Sequence, residues 1–245
     1  MATSWEEIKR ANSSTAGRAE MLCRAVAPLD LAGVPLYILT AGEVPPMLRR
    51  SDCNAYTTPL LDLQLRATLL EQGRWQGRGV AMILNNTLDC VGAQQNQFIR
   101  VVLHELAHRL DGHRKPGTFD TAEREAIPPR VLAAIEGEDI NPPITTTPAL
   151  CGDPWRLHGP KWIRAAVHLA ARARLAGFHC TATDLDAGAV HYGLAGAQHY
   201  ERALGVEPLE MLEQSLFDIS QSELPAALAR LWQADVEAWH ARQAA

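Results

Sequence analysis

The stretch at residues 101–111 reads VVLHELAHRLD, and the prediction of the fold starts from it. In the segment from Gln97 to Asp111, apolar side chains recur at every fourth position, namely Phe98, Val102, Leu106 and Leu110. This period predicts an α-helix with one buried stripe. His104 and His108 are four residues apart, so the helix places both on one face, one turn apart.

Two imidazoles in that arrangement are typical ligands of a metal ion. They can coordinate one Zn²⁺ at about 2.0–2.1 Å each, and zinc lowers the pKa of a bound water molecule toward about 7. Glu105 follows the first histidine, and its carboxylate can take a proton from that water as a general base and later return it as a general acid. HExxH is the pattern of zinc peptidases. The sequence therefore predicts a zinc-dependent metallohydrolase, specifically a peptidase, with one Zn²⁺ on His104 and His108 and with Glu105 as the catalytic base.

The third protein ligand has several candidates. The metzincin pattern needs a glycine at position 111 and a histidine at position 114, but the chain has Asp111 and Arg114. His113 lies one position outside that register. Asp111 comes seven residues after His104 and could face the metal. A glutamate from a later helix is a further candidate, from the set Glu123, Glu125, Glu136 and Glu138.

His158 is the remaining candidate, in the segment LHGPKWIR at residues 157–164. Pro160 is well placed as the first residue of a helix that stops at Gly177. A ligand directly before a helix is held by a rigid element, and Gly159 allows the backbone to approach closely. These features favour His158 as the third ligand.

An HExxH helix followed by an HGPxW segment that opens a second helix resembles the SprT-like zinc metallopeptidases. The resemblance covers mainly residues 97–111 and 157–177. It implies a zincin-like fold whose site has three zinc ligands and one catalytic base: His104, His108, His158 and Glu105. Trp162 matches the aromatic residue of the second segment, which implies that it packs the second helix against the active-site helix. Residues 1–245 contain no CxxC pair, so the zinc-ribbon tail of many members is not expected here.

The rest of the chain predicts one α+β domain over residues 1–245. Two β-rich runs, at 34–40 and 80–85, precede the HExxH helix and are expected to form a small N-terminal sheet. Residues 112–154 contain seven prolines and are predicted to form a long insertion that borders the site. From about residue 187 the chain is rich in alanine and leucine and is predicted to be mainly helical. Strands first and helices later are typical of the α+β class.

The composition and charge of the chain limit which classes of partner are expected. The chain is 47% hydrophobic and 21% charged, which is ordinary for a globular protein. A net charge of −5 without a long basic run gives no support for nucleic-acid binding. No apolar run approaches the about 20 residues that a membrane helix needs. Five scattered cysteines without a CxxC pair indicate reduced thiols in a cytoplasmic protein. The expected partner is a protein or peptide substrate.

Two other functions compete with the general peptidase. One is a non-catalytic, zincin-shaped binding or regulatory protein that retains its metal; Glu105 argues against it, because a structural site does not need a general base. The other is an effector protease specific for one protein. For a peptidase, the strand at 80–85 is expected to lie at the sheet edge along the cleft, where an extended peptide adds by backbone pairing. His168 is expected to be a packed or surface residue and not a ligand.

Overall fold

A computed structural model shows a small β-sheet and a larger set of helices, so the predicted α+β class is confirmed. The structure describes residues 7–8, 14–44, 55–56, 69, 71–74, 76, 79–84, 95–111, 158–185 and 196–243. The predicted insertion at about 112–154 lies outside the described residues.

The sheet contains β1 (Leu36–Thr40), β2 (Ala55–Tyr56) and β3 (Val80–Leu84) in the order β1-β3-β2. β1 pairs with β3 in parallel through all five residues, and β2 pairs with β3 in antiparallel fashion. Both β-rich runs of the sequence therefore form strands, as predicted.

The position of β3 corrects one prediction. The run at 80–85 was expected at a sheet edge, but β3 lies between the other two strands. All five of its residues are buried, which is the property of a strand covered on both faces. Because backbone groups of β3 already pair with β1 and β2, this strand cannot serve as the edge to which a substrate peptide adds.

Three helices form the core with the sheet: α1 (Thr15–Val26), α2 (Gln95–Leu110) and α3 (Pro160–Leu175). α1 and α2 pack against the strands, and α3 packs against α1 and α2. The predicted stripe of α2 is fully buried in the main core. α3 begins with Pro160 after the N-cap Gly159, and the chain leaves the helix at Gly177, whose φ of 84° is one that favours glycine. The helices predicted around the HExxH and HGPxW segments are thus confirmed.

The C-terminal part from residue 196 is helical, as predicted. It contains α4 (Ala197–Leu204), α5 (Glu207–Glu210), α6 (Leu216–Gln221) and α7 (Ala226–Gln243). All four helices contact α3. Within the described part of the chain, no helix is both long enough and apolar enough to cross a membrane.

The side of α3 toward these C-terminal helices carries a buried polar stripe of Arg164, His168 and Arg172. Arg164 donates to a carboxylate oxygen of Glu207 at 2.8 Å and to the carbonyl of Ile219 at 2.7 Å. His168 donates through Nε2 to the same Glu207 oxygen at 2.9 Å. Arg172 donates to the carbonyls of Met211 and Gln214, at 3.1 and 2.6 Å. His168 is therefore a packed residue, as expected.

Asp30 connects the N-terminal part of the chain to α6. Its two carboxylate oxygens accept hydrogen bonds from the backbone N–H groups of Leu216 and Phe217, each at 3.0 Å. These are the first two N–H groups of α6, which have no partner within the helix. The third, from Asp218, is accepted by Ser215 Oγ at 3.0 Å. Asp30 and Ser215 therefore cap one helix from distant parts of the sequence.

We expect Asp30→Ala to lower the free energy of unfolding by about 1–3 kcal/mol, because one buried and one partly buried N–H group would lose their carboxylate acceptor. The local cap variant Ser215→Ala is the matched control and should cost about 1 kcal/mol. Urea unfolding followed by circular dichroism measures both values. Equal or smaller destabilisation by Asp30→Ala would contradict the proposed role of Asp30 as the tie between the two parts of the chain.

The buried stripe also predicts a loss of stability in acid. Burial lowers the pKa of His168 below its ordinary value of 6.5. Burial acts to raise the pKa of Glu207, but hydrogen bonds from His168 and Arg164 outweigh it and hold this pKa below 4.5. Both groups bind protons more readily in the unfolded chain, so each contributes stability that is lost as pH falls.

For His168 this loss should begin as pH falls below about 6.5. His168→Gln keeps a hydrogen-bond donor for Glu207 but cannot titrate. We expect the difference in unfolding free energy between pH 7.5 and pH 5.5 to be smaller in this variant than in the wild type. An unchanged difference would show that His168 titrates alike in the folded and unfolded chains.

Candidate metal centre

Two rigid elements bring three histidines together. α2 presents His104 and His108 one turn apart, and His158 lies directly before α3. The ligand nitrogens of these residues all lie within 4.8 Å of one another. All three side chains are half-buried. We call this group the three-histidine cluster.

The rings of the cluster surround a common point and do not stack flat on one another. Their centroids are separated by 5.0 Å for His104 and His108, 5.2 Å for His104 and His158, and 4.9 Å for His108 and His158. The ring of His104 is steeply inclined to the other two, by 75° and 70°. Nitrogen atoms on rings inclined in this way can converge on one ion.

The donor set fits a metal ion. Imidazole nitrogen is a common ligand for zinc, copper, iron and nickel. Tetrahedral coordination at about 2.0–2.1 Å separates ligand atoms by about 3.3 Å, so each pair in the three-histidine cluster needs to close by at most about 1.5 Å. Three protein ligands leave a coordination position free for water or substrate, as in catalytic sites. The three histidines can therefore hold a metal ion.

Trp162 forms the apolar floor of the cluster. Its side chain is 0% exposed, and its ring lies 4.9 Å from His104, 5.2 Å from His108 and 4.3 Å from His158 between centroids. Because one indole contacts all three rings, it limits their rotation and keeps water from that side of the site. The predicted packing of Trp162 between the two helices is therefore present.

A backbone carbonyl orients His104. The Nδ1 atom of His104 lies 3.0 Å from the carbonyl oxygen of Leu185. A carbonyl oxygen can only accept a hydrogen bond, so Nδ1 carries the proton in this contact and donates it. The lone pair of the neutral ring is then on Nε2, which is the atom left for a metal. The sequence analysis did not identify Leu185, because a contact through a backbone atom leaves no side-chain signal.

Glu105 lies on α2 between the two helical ligands in sequence. It is only 8% exposed, which is unusual for a carboxylate and typical of one with a specific role or partner. Its carboxylate oxygens do not belong to the three-histidine cluster, which within the described residues contains histidines alone. Glu105 is therefore not among the ligands that the described residues bring together.

The other candidates for the third ligand are either outside the cluster or outside the described residues. Asp111 is buried but is not part of the cluster. His113 and the four later glutamates lie outside the described residues.

No protein-family model, no curated protein and no solved structure matches this chain. The interpretation of the site therefore depends on the sequence pattern and on the geometry of the described residues.

We expect His104→Ala, His108→Ala and His158→Ala each to weaken zinc binding by more than about 100-fold, the upper range for residues that only support ligands. The exposed His199 on α4 provides the control variant His199→Ala, which should bind zinc like the wild type. Competition with a chromogenic chelator gives the affinities. Near-stoichiometric zinc in any of the three cluster variants would contradict the assignment of that histidine as a ligand.

Proposed function

We propose that the chain is a single-zinc metallopeptidase of the SprT-like kind. One observation carries this proposal: three half-buried histidines from two packed helices converge, and the helix that supplies two of them also carries a buried glutamate directly after the first. In the HExxH pattern this combination is typical of zinc-dependent hydrolysis.

Zinc is the metal that we infer. Three imidazoles alone do not distinguish zinc from copper, iron or nickel. The HExxH spacing supports zinc, because its two histidines on one helical face are the usual zinc ligands of metallopeptidases. When bound, zinc supplies Lewis acidity and brings the pKa of a coordinated water toward about 7.

The residues of the chain have three further roles, which are to hold the metal, to exclude water and to transfer protons. His104, His108 and His158 hold and orient the ion, while the indole of Trp162 excludes water beneath them. The Glu105 carboxylate accepts a proton from the attacking water and donates it to the leaving amine, the two proton transfers that peptide hydrolysis requires. Its low exposure favours this role, because a carboxylate shielded from bulk water exchanges protons mainly with groups inside the site.

The arrangement of helices and sheet also supports a zincin-like fold. α2 carries the HExxH residues and packs against the sheet strands β2 and β3 on one part of its surface and against α3 on another. The resemblance implies a zincin-like fold in which the second helix packs against the active-site helix, and α3 packs against α2 in this way. The SprT-like assignment remains a proposal supported by the HExxH and HGPxW segments.

The substrate that we propose is a protein or peptide. β3 cannot receive it by edge pairing, since that strand is in the middle of the sheet.

A structural metal site without turnover is the competing function, and the described geometry favours it less. Structural zinc sites are closed by four protein ligands, whereas the described residues supply three. A closed structural site also does not need a general base next to a ligand. Loss of turnover without loss of metal in a Glu105 variant distinguishes the two functions.

We expect Glu105→Gln to retain zinc and the fold but to lower peptide hydrolysis by at least about 10²-fold, since the amide cannot act as a general base. Glu201→Gln, on α4, is the control and should hydrolyse like the wild type. Cleavage of an unstructured protein such as casein and the zinc content of the same samples provide the two readouts. Undiminished hydrolysis by Glu105→Gln would exclude the role, and a wild type that binds zinc without cleaving any of a panel of unfolded proteins would favour the structural site.

A further inference from the structure

Two residues one turn apart on α2 contact two consecutive residues of the segment that follows α3. Arg100 Nη2 lies 2.7 Å from Asp184 Oδ1, and His104 Nδ1 lies 3.0 Å from the carbonyl oxygen of Leu185. Arg100 and His104 are four residues apart and therefore share a face of the helix. The ion pair and the ligand contact are thus adjacent parts of one connection between α2 and this segment.

Asp184 uses both carboxylate oxygens. Oδ1 pairs with Arg100, while Oδ2 accepts hydrogen bonds from the backbone N–H and the hydroxyl of Thr181, each at 2.8 Å. The N–H of Asp184 in turn donates to the carbonyl of Thr181 at 3.0 Å. These bonds close a turn over residues 181–184. The carbonyl of Leu185 follows directly. The turn that Asp184 closes therefore helps to place it, together with hydrogen bonds from the Leu185 N–H to the carbonyls of Thr181 and Ala182, at 3.3 and 3.2 Å.

Buried side chains fix the rest of the segment. Cys180, Ala182 and Leu185 are buried in the main core. Arg174 at the end of α3 donates to the carbonyl of Cys180 at 3.4 Å and pairs with Glu201 at 3.2 Å. The segment is therefore held at its start by Arg174 and at its end by Arg100, but only the Arg100 connection adjoins the three-histidine cluster.

We propose that Arg100 and Asp184 are positioning residues of the metal centre. Their ion pair holds the Leu185 carbonyl where it keeps the proton of His104 on Nδ1 and leaves Nε2 for the metal. Without the pair, the carbonyl moves relative to α2, and the His104 ring is free to rotate or to carry its proton on Nε2. This inference rests on the metal site of the proposed function, but it concerns the orientation of one ligand and not hydrolysis.

The expected effect on metal affinity is large compared with the effect on stability. Removing a group that orients a metal ligand typically weakens metal binding by about 10–100-fold. An ion pair on the surface contributes little to the stability of the fold. Arg100 and Asp184 are 46% and 20% exposed in their side chains, so a variant that lacks the pair should remain folded.

The chain offers a matched control for this pair. The side chains of Arg174 and Glu201 are 44% and 29% exposed, and they too fasten the segment, at a point that does not adjoin His104. Glu201→Gln removes this ion pair as Arg100→Gln removes the other. Arg100→Gln is the principal variant because it leaves the turn at residues 181–184 unchanged, and Asp184→Asn removes the same pair from the other partner.

The experiment compares the full-length wild type with Arg100→Gln, Asp184→Asn and Glu201→Gln. Long-range ¹H–¹⁵N correlation spectra of the metal-free proteins report the tautomer of His104, assigned by its loss in His104→Ala. Zinc affinity is measured by competition with a chelator, and thermal unfolding shows that each variant is folded. We expect a His104 ring protonated on Nδ1 in the wild type and in Glu201→Gln. Arg100→Gln and Asp184→Asn should show a mixed tautomer and bind zinc about 10-fold more weakly or worse.

Three results would overturn the inference: a wild-type His104 protonated on Nε2, zinc affinities in Arg100→Gln equal to the wild type, or an equal loss in Glu201→Gln. If Asp184→Asn does not fold, Arg100→Gln alone decides. Failure of the wild type to bind zinc would overturn the proposed function together with this inference. Zinc binding by the wild type with no effect of the Arg100→Gln substitution overturns the inference alone.

Discussion

The burial of α3 on every side is the constraint on which the other features of the structure depend. All residues from Trp162 to Ala173 are buried, and α3 contacts every other helix of the described part of the chain. A helix buried all round is normally apolar, but α3 carries Arg164, His168 and Arg172. Buried charges are costly unless they are paired and hydrogen-bonded. The C-terminal helices meet most of this requirement, because Glu207 and the carbonyl groups around α6 accept hydrogen bonds from all three side chains. His168 Nδ1 and Arg172 Nε are buried without a hydrogen-bond partner among the described residues.

Two parts of the buried surface of α3 have different roles. Near its start, α3 buries Trp162 against α2, and the same contact brings His158 to the two histidines of the HExxH turn. Along its polar stripe, hydrogen bonds with fixed geometry determine the rotation of α3 about its own axis. Apolar contacts alone are not directional and would permit several rotations. The stripe therefore helps to keep Trp162, and with it the three-histidine cluster, in one orientation.

Features encoded in local sequence were predictable, and features that depend on distant backbone were not. The spacing of His104 and His108 and the Gly159-Pro160 helix start are local, and the structure has both helices and a cluster that includes His158. The central position of β3 was not predicted, because an apolar run indicates a buried strand but not which strands pair with it. The Leu185 carbonyl was missed because any residue carries one. The polar stripe was also missed, since charged residues at a spacing of four usually mark an exposed face.

The way in which the cluster is assembled distinguishes it from the metal sites of small structural zinc domains. In small structural zinc domains, metal binding supplies the free energy of folding, and the ligands come together only around the ion. Here α2 and α3 share a continuous apolar core that includes Leu106, Ile163 and Val167, and Trp162 packs beneath the histidines. The three rings are therefore brought together by hydrophobic burial. In this respect the cluster differs from the sites of small structural zinc domains, whose ligands are positioned by the metal alone.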